Sequence, residues 1–142
     1  MKYTISGYLA AILVFGLAVS PAADGQESHF RGMMQELGRQ MGRLSEGIMA
    51  DDMVLVASSA ISIADHPKPP MSERIRIVSE LGTDATAFRA IDTEVHDTAM
   101  AIHTAAKEGD RVEVTNGFHK LVNSCLACHT RFRGRLRSTL TE

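Results

Sequence analysis

Apolar positions along the chain recur with the period of an α-helix, and no segment sustains the alternation of a strand. Phe30, Met34, Leu37, Met41, Leu44 and Ile48 follow one another at intervals of 4, 3, 4, 3 and 4 residues, a heptad-like stripe on one helix face, and predict a first helix over about 27–49. Asp51 or Asp52 offers a capping carboxylate for a second helix that runs to about Ala64. "DHPKPP" (65–70) stops it, because proline lacks the amide donor and disfavours helical geometry in the residue before it. Residues 71–83, "MSERIRIVSELGT", read as part of a longer connection with at most a short helical turn. Phe88, Ile91, Val95, Ala99, Ile102 and Ala106 mark a further helix from Thr83 or Asp84 to Glu108. In "EGD", Gly109 suits a helix end and Asp110 the next helix start. The last helix, from Arg111 to about Arg137, should bury Val114, Phe118, Leu121, Val122, Cys125, Cys128, His129, Phe132 and Leu136. Four helices with a long middle connection make an all-α, antiparallel four-helix bundle.

The first residues change this picture by subtraction. Lys2, an apolar run from Tyr8 to Val19 and small residues around "SPAA" have the order of a secretory signal peptide, with Ser20 and Ala22 at the cleavage region. The run is short for a bilayer span and lacks basic residues after it. Residues 1–23 are therefore set apart as a cleaved signal, and 24–142 as one domain, expected in the periplasm with no membrane span after processing. Removal takes away one cation from a chain whose formal net charge is −2, leaving no basic footprint for nucleic acid.

The chain has two cysteines, and they stand together in "CLACH", residues 125–129. On a helix Cys125, Cys128 and His129 are i, i+3 and i+4 and share one face. A disulfide between helical i and i+3 positions would close a small strained ring. A zinc site needs about four ligands, and the other histidines are scattered. A thioredoxin-like pair belongs in a βαβ context that the pattern lacks. C-x-x-C-H is instead the signal for c-type haem attachment: each thiol adds to one vinyl group, and the following imidazole is placed to ligate iron.

A C-terminal "CLACHTRFR" on the last helix of such a bundle, behind a signal peptide, resembles the class II c-type cytochromes, the cytochrome c′ family. The resemblance implies one covalent haem c with iron, Cys125 and Cys128 as thioether anchors, His129 as proximal ligand and Arg133 as a haem-propionate neighbour. Members differ at the sixth iron position. Low-spin members fill it with a methionine of the first helix and carry electrons; high-spin members leave it empty and bind NO or other small gases. Met34 stands at what resembles the distal position, so the expectation is the low-spin branch, with Met41 as the fallback ligand and an open site as the alternative function. Met33 falls about 100° off the stripe. Partners would be other redox proteins, and relatives of this kind often form homodimers.

Other features alter little. "RFRGRLR" (131–137) could neutralise propionates, dock an acidic partner, or complement the helix dipole. No nucleophile–base pairing is visible, so the expectation is a protein that is not an enzyme.

Overall fold

The computed structural model describes residues 28–140; the expected signal peptide, residues 1–23, lies outside the described residues. Helix α1 (His29–Ala50) starts where the Ser28 hydroxyl accepts the Arg31 amide at 3.1 Å. It ends on Asp51, held at φ 56°. Asp52, not Asp51, caps α2 (Met53–Ala64), accepting the Leu55 amide at 2.9 Å. Asp51 is used differently: both its oxygens accept from Arg111, at 2.6 and 3.0 Å, tying the α1–α2 turn to the start of the last helix. Further on come α3 (Met71–Leu81), a single 3₁₀ turn (Gly82–Asp84), α4 (Ala85–Glu108) and α5 (Arg111–Thr139). The "EGD" break behaves as its chemistry dictates, with Gly109 left-handed at φ 75° and Asp110 accepting the Glu113 amide at 3.0 Å.

The connection is more ordered than the sequence pattern suggests. Residues 71–81 form three turns of helix because Ile77 and Leu81 find a partner surface, burying against Phe132 and Leu136 of α5. Local periodicity over 11 residues is too short to announce this; tertiary burial decides it. The long helices α1, α4 and α5, together with α2, form the expected bundle, and α3 lies across it.

Helix contacts run from α1 to α2, α2 to α4 and α4 to α5, while α1 meets α5 only sparsely. The core accordingly divides. One cluster, with Leu44, Val56, Ile63, Ile102 and Leu121, fills the end near the two tight turns. There Gly47 lets α1 approach α2: an added Cβ would lie 2.9 Å from Val56 Cγ2 and 3.0 Å from its backbone nitrogen. A second cluster gathers Ile77, Leu81, Ala85, Phe132 and Leu136 at the other end. Phe88 meets Phe132 edge-on at 5.5 Å and leans toward Phe30 at 6.4 Å.

Ionic contacts fasten α3 at both ends. The Glu73 carboxylate accepts the backbone amides of His29 and Phe30, each at 2.8 Å, so it caps the start of α1 from another helix. Beyond its other end, Asp84 accepts from Arg131 at 2.6 Å and Arg135 at 2.9 Å, and Arg135 also donates to the Glu80 carbonyl. Burial acts to raise the Glu73 carboxyl, but the amide donors and His29 outweigh it and hold it below its ordinary 4.5. Hydrogen bonds from Arg131 and then Arg135 lower Asp84 from 3.8.

Two outcomes follow from this packing. Gly47→Ala should cost about 1–3 kcal/mol in urea unfolding, since backbone cannot yield, whereas Gly42→Ala, with open space around it, should be neutral or gain up to about 1 kcal/mol. Glu73 and Asp84 titrate lower folded than unfolded, so their support is complete above their unfolded values and is lost as pH falls through the folded ones. The drop in unfolding free energy between neutral pH and the acid range below 4.5 should therefore be smaller in Glu73→Gln than in the unsubstituted protein.

Candidate functional site

Between the two apolar clusters lies a cavity of about 950 Å³. Its α1 wall carries Met33, Met34, Leu37 and Met41, and its α5 wall carries Cys125, Cys128 and His129. A smaller cavity of about 520 Å³ adjoins it, lined among others by Phe132 and Arg133. Cys128, His129 and Met34 line both, so they stand where the two spaces meet. The α5 spacing brings the pentapeptide's three functional residues to this one wall, as helical geometry requires.

The apolar residues predicted for the interior change character along each helix. On α4, Ala99, Ile102 and Ala106 are buried, but Phe88, Ile91 and Val95 are only half-buried. On α5, Val114, Leu121, Phe132 and Leu136 are buried; Cys125 and Cys128 are half-buried and His129 is exposed. These residues are on the expected face. The half-buried ones line the cavity, with Phe88, Ile91 and Cys128 packed against one apolar cluster and Val95 against the other. Met33 departs from the expectation: it is buried, with 8% of its surface exposed, while Met34 and Met41 are half-buried. Met33 lies off the heptad line yet also lines the cavity, so one stripe does not describe the whole buried surface of α1.

The two cysteines form no disulfide. Burial raises the Cys125 thiol above its ordinary 9.0. Burial, then Cys125 and Asp92, push Cys128 up to about 11. Redox-active and nucleophilic cysteines are arranged the other way, with the thiolate favoured by cations or a helix start. His129 makes no hydrogen bond or ion pair among the described residues, leaving its ring nitrogens available. Other histidines are engaged: His103 Nδ1 lies 3.0 Å from the Ala57 carbonyl, His96 Nδ1 3.0 Å from Asp97, and His66 Nδ1 2.9 Å from the Ile63 carbonyl. Among the described residues no three His, Cys, Asp or Glu side chains come together as a metal set of their own.

An apolar space this large has the size of a ligand pocket, and an empty one forfeits the contacts a core depends on. Two thiols and an unengaged imidazole on its wall match a flat apolar macrocycle with two vinyl groups and a central iron. The residues fit haem. Arg133 is exposed and lines only the smaller space. Arg131 and Arg135, a possible docking patch by sequence, converge instead on Asp84.

Fold and site together define a four-helix bundle with two cysteines and a histidine on the wall of an apolar space. The family model described as Cytochrome C′ matches residues 28–133, and the chain belongs to that family of c-type haem proteins. No curated protein and no solved structure matches the chain. No described helix is long and apolar enough to cross a membrane.

The raised thiols give a direct check. In haem-free protein, the rise from 9.0 to about 11 should make Cys128 alkylation at pH 7 roughly a hundredfold slower than that of an unburied cysteine peptide. Rates measured against pH should keep climbing past pH 9, and a plateau near neutral pH would contradict the assignment.

Proposed function

We propose that the protein is a periplasmic single-electron carrier with one covalent haem c, anchored by Cys125 and Cys128 and ligated by His129 and Met34. The observation that carries this reading is the shared position of Met34: of the three α1 methionines beside the cavity, it alone lines both spaces together with Cys128 and His129. Met33 and Met41 line only the larger space, and Met33 is the more buried of the two.

When bound, the haem supplies a one-electron Fe(III)/Fe(II) couple. The protein's residues do the rest. The two cysteines fix one edge against α5, His129 offers an imidazole nitrogen from the next position, and Met34 offers a thioether from α1. A thioether ligand favours the reduced state and saturates coordination, so little would move on electron exchange. Phe30, Phe88 and Ile91 line the larger space with apolar surface and exclude water. The expected export rests on residues 1–23, and the partners would be other redox proteins, with no bond-making step on a substrate.

The test begins with a haem stain on a denaturing gel, where a covalent haem must persist. The ferric spectrum should then show the far-red methionine-to-iron charge-transfer band. Met34→Ala should abolish that band and admit CO or NO, while Met33→Ala and Met41→Ala should keep it. A high-spin spectrum with rapid gas binding in the unsubstituted protein would replace electron transfer by gas binding as the function.

A further inference from the structure

The large cavity is mostly apolar, and three cations also line it. Lys68 from the 65–70 connection, Arg74 from α3 and Arg89 from α4 all line it, and all three are exposed residues, which places their charged ends toward the mouth. Asp92 is the one carboxylate residue lining the same space, and its oxygen lies 3.8 Å from His66 Nε2. Five cations elsewhere have acidic partners: Arg39 with Glu36, Arg111 with Asp51, Lys120 with Glu94, Arg131 and Arg135 with Asp84. Among the described residues, the side chains of Lys68, Arg74 and Arg89 make no hydrogen bond or ion pair.

The inner face of α3 repeats this division at the scale of one helix. Met71, Arg74, Ile75 and Val78 are spaced i, i+3, i+4 and i+7, and all line the cavity. Met71, Ile75 and Val78 are 62%, 62% and 42% exposed, an apolar strip with nothing against it and one cation in its midst. Such a surface fits a ligand with an apolar body and anionic ends. Haem has that form, a disc with two carboxylates on one edge.

On the reading that the chain carries haem, we infer that Arg74 and Arg89, assisted by Lys68, bind the haem carboxylates. Guanidinium groups suit this part because they meet a carboxylate with two parallel donors. Arg133, to which the family resemblance gives the role, lines the smaller space and is absent from the wall of the larger one. Helix α3 thereby becomes part of the haem site, offering its apolar strip to the disc and Arg74 to the edge.

The experiment uses the haem-loaded protein carrying Arg74→Gln, Arg89→Gln or Arg133→Gln, with Arg74→Lys and Arg89→Lys as charge-preserving partners. Two quantities are read: the ferric/ferrous equilibrium at fixed pH and ionic strength, and the carboxylate stretches in the redox-difference infrared spectrum. A cation near the iron disfavours the more positive ferric state, so its removal should shift the equilibrium toward ferric by about threefold to tenfold. Arg74→Gln and Arg89→Gln should each show this shift and move the carboxylate bands. The lysine variants should recover most of the equilibrium, which a merely structural effect would not predict. Arg133→Gln should change it less than about twofold. Unmoved equilibrium and bands in Arg74→Gln and Arg89→Gln, or a shift confined to Arg133→Gln, would overturn the assignment. Isolated protein without covalent haem would instead defeat the underlying reading, and with it this one.

Discussion

The separation of α1 from α5 is the constraint on which the rest of the molecule depends. Three of the bundle's seams are closed by ordinary apolar packing, α1 on α2, α2 on α4 and α4 on α5. The fourth is held apart. At the turn end, Gly47 and the Asp51–Arg111 pair draw the helices together. At the opposite end, Phe30, Phe88 and Phe132 span the gap without filling it, and α3 is pinned across the flank by Glu73 and Asp84. The cavity is thus framed by interactions at its edges, which is why a large apolar space persists in a chain of modest aromatic content.

That frame also explains the burial gradient along α4 and α5. Residues such as Ile91, Val95, Cys125 and Cys128 have the sequence character of core positions but only half the cover. All four line the apolar cavity, and membership of the Cytochrome C′ family points to haem as the group they face. Chemistry and packing agree at this point: the thiols, raised by burial, are held in the neutral form beside the space.

Much of this was legible in the sequence, and the reasons are particular. The α1 and α4 stripes are long enough for periodicity to be unambiguous, "EGD" carries its own capping chemistry, and "CLACH" is specific in itself. Short segments were harder. Residues 71–81 owe their helix to Ile77 and Leu81 meeting Phe132 and Leu136, a contact made 51 to 59 positions away and invisible to local pattern. Arg74 belongs to this helix, so local pattern gives no sign that it lines the same cavity as Cys125. Met33 lies about 100° round α1 from the heptad stripe, so the spacing does not include it although it is buried.

Pinning α3 by charged contacts at its ends and by Ile77 and Leu81 along its length has a consequence for the cavity. The helix enters through "HPKPP" and leaves through Gly82 at φ 52°, so this wall is built from the middle connection and not from one of the four bundle helices. The bundle thus leaves one flank for an insert to close, and changes within 71–81 can reshape that flank while the α1–α2, α2–α4 and α4–α5 seams stay as they are.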